Sequence, residues 1–325
     1  MDKQFKSVCV TGGAGFIGSH LTEALLERGM RVTVLDNLSV GRREHVPSCA
    51  ELVVGDILDT DFVTEVFATC EIVFHLAARV AIRSSFEYAV DDAQTNVVGT
   101  ASVLKAAEKS RSVRKVIAAS SMAVYSDAPY GVHVNEEYLT SPVSPYGVSK
   151  LAAERLTHLM CSRVQIDSVV LRLFNTYGPR QALSPYVGVV TIFIDQLLRG
   201  ENPVIFGDGA QCRDFVHARD VARGFLGAMD FGPAGETFNI GSSTPRSVNQ
   251  LLAILNRCMG TSLKAQHAEA VLGELCYSVP DITKAKSLLG YEPVEEFEPA
   301  LRALTDEVRK GHELSLAAAH KERNR

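Results

Sequence analysis

The residues best suited to acid–base chemistry are Tyr146 and Lys150, in the run Ser-Pro-Tyr-Gly-Val-Ser-Lys. Four residues apart on a helix, their side chains lie on one face. A lysine ammonium stabilises a nearby phenolate, so we expect the pKa of Tyr146 to fall from about 10 toward the working pH. Such a tyrosine can take a proton from a substrate hydroxyl while hydride leaves for a nicotinamide ring. Lys150 is also placed to hold the nicotinamide ribose.

A further hydroxyl for this site is expected from Ser121, which follows the apolar run Lys115–Ala119. Ligands bind at the carboxyl ends of the strands in open parallel sheets. Ser121 could therefore share a hydrogen bond with the reacting oxygen. A strand-end serine that only caps a turn is the alternative.

A glycine-rich turn at Gly12, Gly15 and Gly18 follows the first apolar run and opens an amphipathic stretch. Glycines at this spacing allow a tight turn, close approach of a pyrophosphate and close packing of helix on strand. Amides at the helix N-terminus then hold the anion. Asp36 stands at the end of the second apolar run, where a carboxylate accepts hydrogen bonds from a ribose diol and repels the 2′-phosphate of NADP. We therefore expect NAD as the cofactor.

Short apolar runs alternate with amphipathic stretches through the first half of the chain. Helices are predicted at Ile17–Arg28, Asn96–Lys109 and Pro145–Cys161. The alternation indicates an α/β fold, a Rossmann doubly wound parallel sheet with helices on both faces. The predicted strands are Ser7–Thr11, Arg31–Leu35, Glu51–Val54, Ile72–Leu76, Lys115–Ala119 and Ser168–Leu173.

The pattern loosens after about Asn175, where glycine and proline become frequent. We expect residues 1–175 to form an NAD-binding domain, with a later contribution near 214–240. Residues 176–310 are expected to form a smaller, interleaved C-terminal α/β substrate-binding lobe, and residues 311–325 a frayed polar tail. Helices in this half are predicted at Val189–Leu198, Val221–Met229, Val248–Cys258 and Ile282–Leu289.

The bulk composition excludes several classes of function. Hydrophobic residues make up 46% and charged residues 22%, and the formal net charge is -5. Such a chain has no general attraction for nucleic acid or anionic membranes. The seven cysteines form no C-x-x-C pair, which argues against a disulfide scaffold or a metal site. The N-terminal residues do not resemble a signal peptide, so we expect a cytoplasmic protein.

Several runs of residues together resemble the extended short-chain dehydrogenase/reductase family, and within it the nucleotide-sugar epimerases similar to UDP-glucose 4-epimerase. The resemblance extends from about Val8 to Pro293. The stretches that carry it are TGGAGFIGSH (Thr11–His20), HLAA (His75–Ala78), NVVGT (Asn96–Thr100), SSMAVY (Ser120–Tyr125), SPYGVSK (Ser144–Lys150), RLFNTYGPRQ (Arg172–Gln181), GDGAQCRDFVH (Gly207–His217), FNIGS (Phe238–Ser242) and LLGYEP (Leu288–Pro293).

The resemblance implies a role for each matching residue. Ser121, Tyr146 and Lys150 match the catalytic serine, tyrosine and lysine. The implied cofactor-binding residues are Gly12, Gly15, Phe16, Ile17, Gly18, Asp36, Asn37, the adenine-contacting pair Asp56 and Ile57, Leu76, Ala77, Ala78, Asn96, Tyr146 and Lys150. The implied substrate-binding residues are Ala81, Ser121, Asn175, Val189, Arg213 and Ser278.

The two residues after Ser121 bear on the type of reaction. Related 4,6-dehydratases carry Asp-Glu there and related decarboxylases carry a glutamate at the second position, whereas this chain has Met122 and Ala123. Neither can move a proton, which favours transient oxidation, ketone rotation and return of hydride over elimination. An NAD(P)H-dependent keto-sugar reductase and a non-catalytic NAD-binding regulator are the alternatives. UDP-hexoses, UDP-uronates and dTDP-L-rhamnose all remain candidate substrates.

Two positions near the C-terminus depart from relatives. Where the family usually has an arginine on the substrate diphosphate, this chain has Val271, and Arg213, Arg180 or His267 would have to compensate. At Ser278 some relatives carry a tyrosine that excludes N-acetyl groups, so we expect room there for a 2-acetamido sugar. A register slip of one residue would put Tyr277 there instead and reverse that expectation.

The helices Asn96–Lys109 and Pro145–Cys161 carry more alanine and leucine than one sheet face can bury. Family resemblance implies that they pair with their copies in a homodimer, as an isologous four-helix contact. A monomer with modestly apolar helices is the alternative.

Overall fold

The first strand shows why the chain forms a layered structure, since all five of its residues, Ser7–Thr11, are buried. Val8 and Val10 pack in one apolar core and Cys9 packs in another. Successive side chains of a strand point to opposite faces, so such a strand needs cover on both sides. In the computed structural model, which describes residues 5–80, 84–182, 188–270 and 275–323, helices cover both faces.

The strands form one large sheet and two small ones. In chain order they are β1 Ser7–Thr11, β2 Arg31–Asp36, β3 Glu51–Val54, β4 Ile72–His75, β5 Lys115–Ser121, β6 Asp167–Leu173, β7 Asn175–Tyr177, β8 Val204–Phe206, β9 Cys212–His217, β10 Glu236–Ile240, β11 Pro245–Ser247, β12 Gln266–Ala268 and β13 Tyr277–Ser278.

The large sheet is parallel throughout, in the order β10-β6-β5-β4-β1-β2-β3. The chain runs outward from β1 to β3 and then crosses back to β4 on the other side of β1. This reversal opens a crevice at the carboxyl ends of β1 and β4, where doubly wound sheets bind dinucleotides. The predicted Rossmann fold is confirmed, and the expected late contribution to the sheet includes β10.

The helices pack in two layers on this sheet and in a third group beyond it. α1, α7 and α9 lie together on one face, and α2, α4 and α5 lie together on the other. In chain order the helices are α1 Phe16–Glu27, α2 Thr60–Phe67, α3 Ala89–Asp92, α4 Gly99–Ser110, α5 Pro145–Arg163, α6 Val189–Leu198, α7 Ala218–Phe231, α8 Val248–Met259, α9 Thr283–Leu289 and α10 Phe297–Arg323.

A smaller lobe surrounds the sheet made of β7, β9, β11 and β13. Helices α6, α8 and α10 share an apolar core with it, in which Phe215 stacks on Phe297 and Tyr177 packs edge-on against Phe297. β8 and β12 form a separate two-stranded sheet. Among the helices that the structure describes, none has the length and apolar character needed to cross a membrane.

Two elements differ from the sequence-based expectations. The helical region predicted from Asn96 begins earlier, because α3 continues through a π-helical stretch, Ala93–Val98, into α4. Its polar residues hide the periodicity from which the helix was predicted. From Gly311, where a frayed tail was expected, α10 continues to Arg323. Ala, Leu, Glu, Lys and Arg are strong helix formers, so polarity alone did not indicate an irregular chain there.

Candidate active site

The glycine turn lies against the loop after β4. Gly12 has a φ of +71° and a Cβ there would lie 2.7 Å from the Ala77 amide nitrogen, while a Cβ on Gly18 would lie 2.1 Å from the Gly12 carbonyl oxygen. Gly15 is the N-cap of α1 and supplies no side-chain cap. The first amides of α1 therefore remain available to an anion, which fits a dinucleotide pyrophosphate. Phe16 and Ile17 open the helix, and Leu76 and Ala78 flank Ala77.

Asp36 lies at the carboxyl end of β2 and is 8% exposed. One carboxylate oxygen accepts a hydrogen bond from the Ala14 amide at 3.0 Å and the other accepts one from Leu38 at 2.8 Å. The carboxylate thus fastens the glycine turn from the next strand. An ionised carboxylate has about four acceptor sites, so this leaves capacity for a ribose diol.

Asp56 and Ile57, the pair expected to contact adenine, lie on the loop after β3. The Asn37 side-chain amide donates to Asp56 Oδ2 at 3.0 Å, and Asp56 Oδ1 accepts a hydrogen bond from the Leu58 backbone amide at 2.9 Å. Ile57 is buried, and its Cδ1 would lie 2.6 Å from a Cβ on Gly99. The loop is therefore held both by hydrogen bonds and by close packing on α4.

Asn96 connects the cofactor crevice to the catalytic helix. It lies in the π-helical stretch, is 1% exposed, and both donates to and accepts from the backbone of Arg79. Its amide also donates to Ser149 Oγ at 3.0 Å, and Ser149 in turn donates to the Tyr146 carbonyl at 2.8 Å. π-helical bulges are frequent at functional sites, and here the bulge places one amide between two parts of the site.

The structure brings Ser121, Tyr146 and Lys150 together at the carboxyl end of β5. Ser121 is the last residue of β5, and Tyr146 and Lys150 lie one turn apart near the start of α5. Ser144 caps α5 by accepting a hydrogen bond from the Gly147 amide at 3.1 Å, which fixes where the helix begins. Ser121 lies close enough to the Tyr146 phenol to act on its pKa, and its Oγ accepts a hydrogen bond from the Ala123 amide at 3.2 Å, as a turn-capping serine does.

The expected effect of Lys150 on the phenol is not found in the free chain. Burial raises the pKa of Tyr146 to about 12, with the hydrogen bond from Ser121 acting to lower it and the charge of Asp92 acting to raise it. Burial also lowers the pKa of Lys150 to about 8, against the charge of Glu154. Desolvation dominates because both groups are almost completely enclosed, at 4% and 6% exposure.

A buried ion pair, absent from the sequence-based expectations, supports this helix. Both Glu154 carboxylate oxygens accept hydrogen bonds at 2.9 Å from Arg172, on β6. Glu154 Oε1 also accepts from Ser120 Oγ at 2.5 Å. All three side chains are at most 5% exposed. Glu154 thus ties α5 to β5 beside Ser121 and to β6, and its position four residues after Lys150 was the only signal in the sequence.

The register of β13 places Ser278 on the same side as Met122. Ser278 pairs with Arg213 of β9, and its Oγ lies 3.2 Å from Met122 Sδ, the residue after Ser121. Tyr277 pairs with Cys212 and shares an apolar cluster with it on the opposite face.

The other residues expected to touch substrate are placed as follows. Asn175 begins β7, and within the described part of the chain its buried Oδ1 accepts no hydrogen bond. Arg213 is 8% exposed and donates to the Cys212 carbonyl at 2.9 Å. Val189 is half-buried at the start of α6. Ala81 and Val271 lie outside the residues that the structure describes.

The cations considered as replacements for the missing arginine are engaged elsewhere. Arg180 forms an ion pair with Glu23 of α1, although its buried Nη1 has no hydrogen-bond acceptor among the described residues. His267 lies on β12 and donates to the Gly207 carbonyl at 2.7 Å. Arg246, on β11, is a cation that the sequence-based reasoning missed, because only strand pairing brings it next to Arg213.

Known proteins share this architecture over most of their length. The NAD dependent epimerase/dehydratase family model matches residues 8–241. The UDP-glucose 4-epimerase of Thermotoga maritima, crystallised with UDP-glucose, is 37% identical, with a TM-score of 0.90 covering 94% of this chain and 99% of that chain. The Thermus thermophilus UDP-glucose 4-epimerase, in complex with NAD, is 33% identical, with a TM-score of 0.88 covering 93% and 99%.

A third similar structure is named for a different sugar. It is the UDP-N-acetylglucosamine 4-epimerase of Methanobrevibacter ruminantium in complex with UDP-N-acetylmuramic acid, which is 31% identical with a TM-score of 0.87 over 94% of this chain and 98% of that chain. Because the family model covers most of the chain and these structures align over nearly their whole length, the chain belongs to the NAD dependent epimerase/dehydratase family, with NAD as its cofactor.

Proposed function

We propose that the protein is an NAD-dependent nucleotide-sugar 4-epimerase of the UDP-glucose 4-epimerase type. The observation that carries this proposal is the pair Met122 and Ala123, which directly follow Ser121 where related dehydratases and decarboxylases carry acids. Both side chains are buried beside the catalytic helix. The site can exchange hydride and a proton at one carbon, but these two positions offer nothing to drive elimination.

The fold divides the work between two lobes. We propose that residues 1–175, joined by α7 and β10 from the region 214–240, bind NAD, and that residues 176–310 bind the nucleotide sugar. Bound NAD would supply the acceptor for hydride from C4 of the sugar, and its oxidised nicotinamide ring would add a positive charge to the site. The uncapped start of α1 and the Asp36 carboxylate fit its pyrophosphate and ribose.

The proton is assigned to Tyr146. With a pKa of about 12 in the free chain its phenol is protonated at neutral pH, so positive charge close by is needed before it acts as a base. Lys150, with a pKa of about 8, carries such a charge at pH 7. Ser121, whose proximity acts to lower the pKa of the phenol, would orient it toward the reacting oxygen.

The decisive experiment is turnover without added cofactor. Purified protein should carry NAD and should interconvert UDP-glucose and UDP-galactose, followed by NMR. The panel should also contain the N-acetylated UDP-hexoses, UDP-glucuronate and dTDP-sugars, because Ser121, Tyr146 and Lys150 suit any of them. Turnover that requires NADPH and a keto-sugar, with no C4 epimer from any substrate, would instead identify a reductase.

Ser278 is proposed to set the room beside the C2 substituent of the sugar. Replacing Ser278 by tyrosine should lower kcat/KM for UDP-N-acetylgalactosamine far more than for UDP-galactose, because the added ring clashes only with the acetamido group. The serine is 4% exposed and its Oγ lies 3.2 Å from Met122 Sδ, so the added ring would lie next to the residue that follows Ser121.

Tyr277→Phe is the matched control, since Tyr277 points to the opposite face of the same strand. This variant should leave the ratio of the two kcat/KM values unchanged. Equal losses on both substrates in Ser278→Tyr, or a wild type that rejects the acetamido sugar, would contradict the assignment.

We also propose a homodimer formed through the helical face of α3, α4 and α5. Val90, Val98, Val148 and Leu159 on this face are 81%, 48%, 55% and 69% exposed. Light scattering should give about twice the chain mass of 35.3 kDa, because a two-fold axis buries these residues against their copies. Val148→Lys combined with Leu159→Lys should shift the mass toward that of one chain. A wild type that is monomeric at micromolar concentration would rule out this dimer.

The seven cysteines, all within the described residues, form no disulfide. Free thiols are typical of proteins from reducing compartments, which supports the proposal of a cytoplasmic location.

A further inference from the structure

Two arginines stand directly opposite each other in the substrate lobe. Arg213 of β9 pairs with Arg246 of β11 in an antiparallel ladder, so their side chains leave the same face of the sheet. On the other edge of β9, Ser278 of β13 pairs with Arg213. The three residues form one row across the sheet. Two like charges in directly opposed positions are destabilising unless an anion lies near them.

The Arg246 guanidinium is held in place but incompletely satisfied. Its central carbon lies 4.1 Å from the centroid of the Phe297 ring, and the side chain is half-buried. Within the described residues, no group accepts a hydrogen bond from its buried Nη1. Burial lowers the pKa of Arg246, against the charges of Asp214 and Tyr177. A buried charged donor without an acceptor is costly, so this geometry suits a ligand that brings negative charge.

The carboxylate whose charge acts on Arg246, that of Asp214, is already committed to other donors. The Asp214 oxygens accept hydrogen bonds from the Ser242 amide at 2.9 and 3.0 Å, from Ser242 Oγ at 2.8 Å and from the Thr244 amide at 3.1 Å. Asp214 is completely buried in this turn. It therefore serves the β10–β11 connection and does not complete the coordination of Arg246.

The row of Ser278, Arg213 and Arg246 begins next to the catalytic centre and runs away from it. Ser278, at one end, touches Met122 beside Ser121, and Arg246 lies at the other end. Neighbouring strands are about 4.8 Å apart, which suits two guanidinium groups that each hold one phosphate of a diphosphate. A substrate whose sugar lies near Ser278 would carry its phosphates along this row.

We propose that Arg246 binds the diphosphate of the nucleotide sugar together with Arg213. It would replace the arginine that relatives usually have at the position of Val271. This inference rests on the proposed function, and it assigns to that site a residue that only strand pairing reveals. The other two cations considered from the sequence, Arg180 and His267, contact Glu23 and the Gly207 carbonyl.

The test is calorimetric titration of the NAD-loaded protein with UDP and with uridine, which lacks phosphate. Arg246→Met keeps an apolar side chain over Phe297 and removes the charge. It should weaken UDP binding roughly ten- to a hundredfold, the range for a lost charge-assisted hydrogen bond, and should leave uridine binding unchanged. Arg246→Lys keeps the positive charge but lacks the planar guanidinium group, and should lose less UDP affinity than Arg246→Met.

Arg219→Ala is the matched control, because it removes an exposed arginine from the start of α7. It should change UDP affinity less than twofold.

The inference is overturned if Arg246→Met binds UDP as tightly as the wild type. It is also overturned if this variant weakens the binding of UDP and of uridine equally, which would indicate a packing role. If the wild type epimerises nucleotide sugars but Arg246→Met keeps full UDP affinity, the role of Arg246 is overturned and the proposed function stands. A wild type that binds neither UDP nor any sugar nucleotide would overturn the proposed function with it.

Discussion

Replacing Tyr146 by phenylalanine should lower turnover roughly 10²–10⁴-fold while the protein folds and keeps its NAD. The change removes one oxygen and leaves the ring, so the packing of α5 is preserved. The phenol is 4% exposed, and Ser121 beside it acts to lower its pKa. The two residues after Ser121, Met122 and Ala123, offer no group that could take the proton of the C4 hydroxyl in its place.

The measurement is kcat for the best substrate of the panel, together with the melting temperature and the nucleotide released on denaturation. Tyr138→Phe is the control, because that phenol donates to the Asp127 carbonyl in a loop and should be dispensable for turnover. If Tyr146→Phe retained more than half of the wild-type rate, the proton would have to travel by another group and the mechanism would be wrong.

Replacing Glu154 by glutamine should destabilise the fold by about 3–5 kcal/mol, the usual cost of leaving a buried partner charge uncompensated. Glutamine has nearly the same shape, so the loss would come from charge and hydrogen bonding rather than from packing. Arg172 would keep its full charge at 5% exposure, and Ser120 would lose an ionised acceptor. Urea denaturation of the wild type and the variant measures this difference in the free energy of unfolding.

The same variant should also change the pH dependence of catalysis. The negative charge of Glu154 acts to raise the pKa of Lys150, which burial lowers to about 8. Without that charge the lysine loses its proton at lower pH. The alkaline fall of kcat/KM should therefore move to lower pH, an effect that a purely structural role would not produce.

Glu108→Gln is the matched control, because Glu108 pairs with Lys105 at 2.8 Å on the surface of α4. Exposed ion pairs of this kind contribute little, so neither stability nor the pH profile should change appreciably. If Glu154→Gln unfolded at the same urea concentration as the wild type, with an unchanged alkaline limb, Glu154 would have no part in holding or tuning the site.

The cofactor half of the site could be predicted from the sequence because its signals are local. Gly12 and Gly18 are required where a Cβ would meet backbone atoms, and both lie in one turn between a strand and a helix. Tyr146 and Lys150 share a face because four residues make about one helical turn. Ser121 ends a buried strand, and the order of strands and helices implied the doubly wound sheet.

The tertiary structure decided what depends on partners distant in sequence. The pKa of Tyr146 rises instead of falling, because desolvation depends on everything packed around the phenol and not only on Lys150. Glu154 of α5 forms an ion pair with Arg172 of β6, and Arg246 lies opposite Arg213 only because β11 pairs with β9 in this register. The sequence does not show which charged residues will be buried next to one another. In a low-dielectric interior, burial and the neighbouring charges determine the pKa values and the roles of these residues.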